Sequence, residues 1–387
     1  MKSMLKKALA VVLAAAMLLA LAACGGSTAK NTEYVIGFSG PLTGPAAVYG
    51  TAVKNAAQMA VDEINAAGGL DGTMFKLVAV DDKHDASKVA ANFTSLMEGG
   101  MQVSLGTVTT GPGLEFSKLS NDDKVFFLTP SASGDKIPEF DNGFQMCFAD
   151  GNQGKVAADY VNSLGKNKIG IFYKSDDPYS KGIYDQFMAN LNEGVETVET
   201  VFTAANETDF SAQITQLKDC DFIFMPIYYQ PASVFMTQAK GQIMDNATYY
   251  GCDGFDGLAG QIDLSTIPQE VSMLSHFDSN SKAQATADFV KKYTEKFGAE
   301  TLNQFGASAY DCVYAIFNAM KELKEAGKDI PVTISAEELY GLLKAHFNDG
   351  FTYSGVTGTD ITWEDNGYVN KAAIKFVLKE ADAAVAE

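Results

Sequence analysis

In five places along this 387-residue chain, an apolar run ends in a short stretch that carries hydroxyl, phenol or carboxylate side chains. In one of them, a mostly apolar segment from residue 223 runs into Tyr228 and Tyr229, then into a proline and a predicted helix. Side chains of these types bind small molecules, and we therefore take the strand ends as the candidate site. The stretches are GTVTTGPG (106–113), TPSASGD (129–135), YKSDDPYSKG (173–182), PIYYQPAS (226–233) and GCDGFDG (251–257).

Nearly every one of these stretches leads into a predicted helix. The first N–H groups of a helix have no partner within the helix and carry partial positive charge. Such a terminus suits an anionic group such as a carboxylate. The pattern therefore favours the binding of a small charged molecule at these strand ends.

Catalytic and metal-binding motifs are absent from the sequence. There is no G-x-S-x-G, no Walker sequence and no H-E-x-x-H, and His84, His276 and His346 lie far apart. The stretch VDDKHD (80–85) has the letters of a metal site, but its spacing matches no calcium loop, and we predict a solvated charged turn. We expect no catalytic residue, no cofactor and no metal.

The elements that must position these residues alternate as strand and helix from residue 34 onward. This order predicts parallel sheets with helices on both faces. The pattern restarts near residues 145–154, which gives two α/β units of about one domain each. Long amphipathic helices follow, and Asn366-Gly367 predicts a final two-stranded hairpin.

The N-terminal segment predicts export. Residues 1–23 combine early lysines with an apolar run, as in a signal peptide, and Leu21-Ala22-Ala23-Cys24 resembles a bacterial lipobox in which Cys24 is lipidated. Residues 24–33 are predicted as a tether; plain secretion and a single membrane anchor are the alternatives. The formal net charge of −19 argues against a basic surface of the kind that binds nucleic acid. Widely spaced cysteines predict free buried thiols.

The motifs taken together resemble the solute-binding proteins of branched-chain amino acid ABC transporters. The resemblance rests on IGFSGPLTGPAAVYG, GTVTTG, LTPSAS, DDPYSKG, YYQPASVFMTQAKGQ, GCDGFDG, FGASAYDCVYAIFNAM and FTYSGVTGTDITWEDNGYVNKAAI, in that order. It implies the type I periplasmic-binding-protein fold, with two doubly wound parallel-sheet lobes joined by three chain crossings. These would fall near residues 147–150, 274–277 and 363–367. The lobes would comprise residues 34–148 with 277–364, and 149–276 with 365–387.

The resemblance also implies a set of ligand-binding residues. Thr110, Ser131 and Ser133 match groups that hold the ligand carboxylate, and the serines also match contacts to the ammonium. Asp253 matches the acid that pairs with the ammonium. Aromatic contacts correspond to Tyr49, Tyr179, Tyr228 and Tyr229. Asp253 stands where the family often has Glu, and Ser131 where it often has Ala, so the size or polarity of the ligand can differ.

We therefore expect a lipid-anchored, monomeric, non-enzymatic receptor outside the cytoplasm. It would bind an amino acid or an analogue and work with ABC permease subunits, without contact to nucleic acid. Two alternatives stay open at this point: a sensory receptor for amides or aromatic acids, and an extracytoplasmic hydrolase. The hydrolase is disfavoured because no histidine lies in the candidate loops.

The lipobox gives a first prediction. We expect Cys24→Ser to abolish acylation, so that the protein becomes soluble or keeps its signal peptide, because the thiol is the lipid attachment point. Membrane fractionation with a labelled fatty acid would measure this. A variant that is still acylated and membrane-bound would contradict the prediction.

Overall fold

The computed structural model describes residues 31–166, 168–380 and 383–386, so the predicted signal peptide and Cys24 lie outside the described residues. Strands and helices alternate, as the sequence predicts. The strands are β1 (Tyr34–Gly40), β2 (Phe75–Asp81), β3 (Val103–Ser104), β4 (Phe127–Thr129), β5 (Gly143–Gln145), β6 (Lys168–Lys174), β7 (Glu196–Phe202), β8 (Phe222–Met225), β9 (Thr248–Gly251), β10 (Glu270–Ser275), β11 (Ile374–Glu380) and β12 (Ala383–Ala386).

Ten α-helices lie in the described ranges. They are α1 (Ala47–Ala66), α2 (Val89–Glu98), α3 (Thr110–Asp122), α4 (Asp150–Ser163), α5 (Pro178–Asn190), α6 (Ser211–Leu217), α7 (Tyr229–Gln238), α8 (Gln284–Phe297), α9 (Gln304–Glu325) and α10 (Ala336–Asn348). After α1, Gly68 and Gly69 take positive φ angles of 103° and 66°, which other residues rarely adopt, so the helix stops there.

Two sheets form the centres of two lobes. The first has the order β2-β1-β3-β4-β5 with parallel pairing throughout. The second has the order β12-β11-β10-β9-β8-β6-β7 and is parallel from β10 to β7. All residues of β1 and β8 are buried, as expected for parallel strands covered by helices on both faces. The predicted class of two α/β lobes with parallel-sheet cores is confirmed.

The strand order reverses once in each lobe, between β1 and β3 and between β6 and β8. A crevice forms at such a reversal, outside the carboxyl ends of the strands, because the connections on its two sides lead to opposite faces of the sheet. The stretches that follow β1, β3, β6, β8 and β9 therefore border the two crevices. These stretches include most of the candidate residues.

The chain passes between the two sheets three times. It leaves the first sheet after β5, returns after β10 to build α8, α9 and α10 around α1 and β3, and joins the second sheet again at β11. The exact residues at which we place the lobe boundaries and the chain crossings stay predictions. β5 and β10 border two of these passages, and we did not predict either strand.

The predicted C-terminal hairpin is wrong in extent. A turn with Gly367 at φ 86° does occur, but it closes only one antiparallel bridge, between Trp363 and Val369. The apolar residues after it form β11, which pairs antiparallel with β10 of the second sheet. An apolar strand buries more surface at a sheet edge than in an isolated hairpin, so the longer-range pairing is favoured.

Three other predictions have structural outcomes. Helix α7 begins at Tyr229 and not at Pro231, since proline is tolerated in a first turn. The turn around VDDKHD is not fully solvated: Asp82 is buried and accepts hydrogen bonds from Ser39 Oγ and His84 N. Cys147, Cys220, Cys252 and Cys312 are free and buried, as predicted.

Within the described ranges, no helix has the length and apolar character needed to span a membrane.

Asp311 of α9 anchors the segment that leads to the last passage. Its fully buried carboxylate accepts hydrogen bonds from the backbone N–H groups of Val356 and Thr357, both at 2.8 Å, and from Tyr353 Oη at 3.0 Å. Lys371 Nζ donates to Thr357 Oγ1 at 2.6 Å. This network fixes the path of the chain from α9 to the second sheet.

We expect Asp311→Ala to destabilise the protein by on the order of 3 kcal/mol, because several buried donors would lose their acceptor. Chemical unfolding in urea would measure the loss. Asp329→Ala is the matched control, since Asp329 is exposed. Equal stability of the two variants would contradict this role of Asp311.

Candidate ligand-binding site

A cavity of about 210 Å³ lies where the two lobes meet. Seven of the eight predicted ligand-binding residues line it. The complete lining consists of Tyr49, Val108, Thr109, Thr110, Ser131, Ser133, Tyr179, Tyr228, Asp253, Gly254 and Phe305.

The first lobe contributes the N-terminus of α3. Thr109 is its N-cap residue, but the Thr109 side chain does not cap the helix and instead hydrogen-bonds His84 Nδ1 at 2.9 Å. Burial lowers the pKa of His84 to about 4, so its ring is neutral near pH 7. The backbone N–H groups of Thr110 and Gly111 therefore stay without a protein partner among the described residues. Thr110 brings one of these donors to the cavity wall.

The loop after β4 forms the neighbouring wall. Ser131 Oγ donates to the carbonyl oxygen of Val108 at 2.7 Å, so its hydroxyl proton is used inside the first lobe. Ser133 accepts the N–H of Asp150 at its carbonyl oxygen, at 2.8 Å. No hydrogen bond within the described residues uses the N–H of Ser133. This wall therefore offers a second free backbone donor.

Asp253 lies on the opposite wall, in the second lobe, after β9. It is 2% exposed, and its Oδ1 accepts a hydrogen bond from Tyr179 Oη at 2.6 Å. Burial raises the pKa of Asp253 to about 6, although the hydrogen bond from Tyr179 acts in the opposite direction. The carboxylate is therefore mostly ionised at pH 7 although it is almost fully buried.

No lysine, arginine or histidine is among the residues that line the cavity. Asp253 consequently has no cationic side chain opposite it. A buried carboxylate without a partner is costly, and a cation brought by a ligand would remove that cost. The cavity is thus electrostatically suited to a molecule with a positive group at this end.

Aromatic rings enclose the remaining sides. Tyr228 stacks on Tyr179, with ring centroids 4.5 Å apart, and Tyr49 packs edge-on against Phe305 at 4.9 Å. The hydroxyl of Tyr228 has no hydrogen-bond partner among the described residues. Tyr229 does not line the cavity; it packs edge-on behind Tyr49 at 5.0 Å in the apolar core. The two adjacent tyrosines therefore have different surroundings.

Hydrogen bonds join the lobes next to the cavity. Tyr49 Oη of the first lobe donates to the carbonyl oxygen of Gly254 at 2.6 Å. Asp256 Oδ2 of the second lobe accepts the N–H of Gln304, the first residue of α9, at 2.9 Å. The second contact places a carboxylate at a helix N-terminus, which is electrostatically favourable. Both contacts stabilise this closed arrangement.

Helix α4 supplies two residues behind the cavity walls that sequence reasoning missed. Asp150 Oδ2 accepts a hydrogen bond from Thr110 Oγ1 at 3.2 Å, and Gln153 Oε1 accepts the N–H of Asp253 at 3.0 Å. The two residues are three positions apart, so they share one face of the helix. That spacing at the start of a helix was the available signal.

The missed lining residues are Val108, Thr109, Gly254 and Phe305. All four lie inside stretches that we had singled out, but nothing in the sequence distinguished them there. At Gly254 a Cβ would lie 2.7 Å from Tyr179 Oη and 2.8 Å from the carbonyl oxygen of Ile227, so the close approach of the chain requires glycine.

Comparisons with known proteins agree with this geometry. A family model described as periplasmic binding protein matches residues 33–374. The Leu/Ile/Val-binding protein BraC3 of Rhizobium johnstonii is 31% identical over 327 residues, which cover 79% of this chain and 86% of the relative. The crystal structure of the branched-chain amino acid transporter substrate binding protein LivJ from Streptococcus pneumoniae, in complex with isoleucine, has a TM-score of 0.80 and 29% identity, covering 92% of this chain and 99% of that one.

A further solved structure has the same fold at lower identity. It is a solute binding protein of an ABC transporter from R. palustris in complex with benzoate, with a TM-score of 0.75 and 18% identity, covering 92% of this chain and 98% of that one. At this identity the likeness concerns the fold alone. Proteins of one fold thus hold an amino acid in one case and an aromatic acid in another.

The electrostatics of the cavity give a prediction. We expect Tyr179→Phe to raise the pKa of Asp253 further, by about one pH unit, because the phenol hydrogen bond stabilises the ionised carboxylate. Carboxyl-carbon NMR titration of ligand-free protein would measure it, with Tyr340→Phe in the first lobe as the control. A wild-type pKa near 4, or no change in the variant, would contradict the account.

Proposed function

Because the chain belongs to the periplasmic binding protein family, we propose that it captures an α-amino acid, branched-chain or closely related, between its two lobes and delivers it to an ABC transporter permease. The chain is a substrate-binding protein of the ABC transporter type. Members of this family bind solutes and are not enzymes, which confirms the predicted non-enzymatic role.

The observation that carries the proposal is that one wall of a small cavity offers groups for an anion and the opposite wall offers a group for a cation. The free N–H groups of α3 and Ser133 suit a ligand carboxylate, and Asp253 suits an ammonium. An α-amino acid carries both groups on one carbon atom. Its burial is favourable only when both charges find partners, because an unpaired buried charge costs several kcal/mol.

The same charges argue against an aromatic acid as the ligand. Such a ligand has a carboxylate but no ammonium, so Asp253 would stay unpaired in the closed cavity. Two carboxylates near each other in a dry cavity repel, and one of them would have to be protonated. We therefore favour an amino acid over the aromatic acids that some proteins of this fold bind.

The wall around the ligand side chain is apolar and aromatic. Val108, Phe305 and the ring of Tyr49 lie there. Apolar contacts of this kind favour aliphatic side chains over charged ones. The free hydroxyl of Tyr228 can hydrogen-bond the ligand at the edge of this wall.

Closure follows from contacts to both lobes. The ligand would bind α3 of the first lobe and Asp253 of the second, so it would bind the closed arrangement more tightly than an open one. Tyr49 and Asp256 add protein contacts that exist only when the lobes meet. We propose that the permease recognises this closed form and that lipidated Cys24 keeps a monomeric receptor at the outer face of the membrane.

The direct test is Asp253→Ala. We expect amino acid affinity to fall roughly a hundred- to several-thousand-fold, because an unpaired buried ammonium costs about 3–5 kcal/mol. Isothermal titration with the twenty amino acids, starting with leucine, isoleucine and valine, would measure the change. Asp245→Ala is the matched control, since Asp245 is an exposed acid of the same lobe.

Thermal unfolding of the ligand-free variants separates loss of binding from loss of folding. Undiminished affinity in a folded Asp253→Ala protein would remove Asp253 from the site. Sustained turnover of an amino acid or its amide by the wild type would contradict the receptor function itself.

A further inference from the structure

Asp150 occupies a costly position behind the cavity. It is the first residue of α4, is 1% exposed, and directly follows the passage from the first sheet to the second. Its Oδ2 accepts a hydrogen bond from Thr110 Oγ1 at 3.2 Å. Its Oδ1 has no hydrogen-bond partner among the described residues.

The charged groups that face Asp150 are acids. Asp253 lies across the cavity, and Asp135 accepts the N–H of Gly151 at 2.9 Å next to it. A neutral side chain could link the lobes here at lower electrostatic cost. The first N–H groups of α4 offset part of that cost, as they do for any acid in a first helical turn. Burial and the charge of Asp253 nevertheless raise the pKa of Asp150 well above its usual range, so its ionised form is costly and its contact with Thr110 calls for a function.

A hydroxyl group has one proton and two lone pairs. Where Thr110 donates that proton to Asp150, its oxygen atom presents only lone pairs to the cavity. An oxygen in this state accepts a hydrogen bond from an ammonium and repels a carboxylate. The ligand carboxylate is then left to the backbone N–H groups of α3 and Ser133, which can only donate.

We propose that Asp150, in its ionised form, is a positioning residue that orients the hydroxyl group of Thr110 as an acceptor, so that the cavity selects ligands carrying an ammonium group. This inference rests on the proposed function and deepens it. It changes the role that the family resemblance implies for Thr110, whose backbone N–H would hold the carboxylate while its hydroxyl oxygen faces the ammonium.

The test compares leucine with 4-methylpentanoate, which has the same carboxylate and side chain but no amine. In Asp150→Asn the amide can donate to Thr110, so its hydroxyl proton becomes free to point into the cavity. We expect the ratio of leucine to 4-methylpentanoate affinity to fall tenfold or more in isothermal titration. A purely structural role would weaken both ligands alike and leave the ratio unchanged.

Asp135→Asn is the matched control, because Asp135 lies beside Asp150 and accepts a backbone N–H, but does not line the cavity. Its affinity ratio should equal that of the wild type. If another amino acid binds the wild type more tightly than leucine, the two ligands compared are that amino acid and the carboxylic acid that lacks its amine. An unchanged ratio in folded Asp150→Asn protein would overturn the inference.

A second variant covers the case in which Asp150→Asn does not fold. Thr110→Val removes the hydroxyl but keeps the backbone N–H, so we expect weaker leucine binding and unchanged 4-methylpentanoate binding. Weaker binding of both ligands would show that the hydroxyl holds the carboxylate and would overturn the inference. A wild type that binds none of the twenty amino acids would contradict the proposed function first, and this inference with it.

Discussion

A carboxylate that is buried without a cationic partner governs the behaviour of this cavity. Asp253 is 2% exposed, faces a closed space and has no basic side chain among the lining residues. Its hydrogen bond from Tyr179 reduces the cost of burial but does not neutralise the charge. The favourable state of this site is therefore one in which a ligand supplies a positive group.

The fold provides the setting for that charge through two crevices that face each other. The strand order reverses between β1 and β3 in one lobe and between β6 and β8 in the other. One crevice offers helix N–H groups at α3, and the other offers Asp253. Since a zwitterion would pair its carboxylate with α3 in one lobe and its ammonium with Asp253 in the other, we expect binding and lobe closure to be coupled.

The sequence predicts the lobes and most of the cavity lining, because residues after parallel strands must lie at the edge where the lobes meet. It does not separate Tyr228 from Tyr229, since successive residues at a helix start point in different directions. It also misses Asp150, whose contact with Thr110 depends on how the chain enters α4 after leaving the first sheet. The short β5 and the pairing of β11 with β10 depend on contacts across the sheet, which local patterns do not encode.

Proton release on ligand binding at pH 6 tests the central claim most directly. Burial raises the pKa of ligand-free Asp253 to about 6, so about half of the molecules carry a proton there, and a bound ammonium would favour the ionised form. Calorimetric titration with leucine in buffers of different ionisation enthalpy should therefore show release of up to about half a proton per ligand, fading towards pH 8. Binding without proton exchange, or with proton uptake, would contradict the pairing of Asp253 with the ligand ammonium.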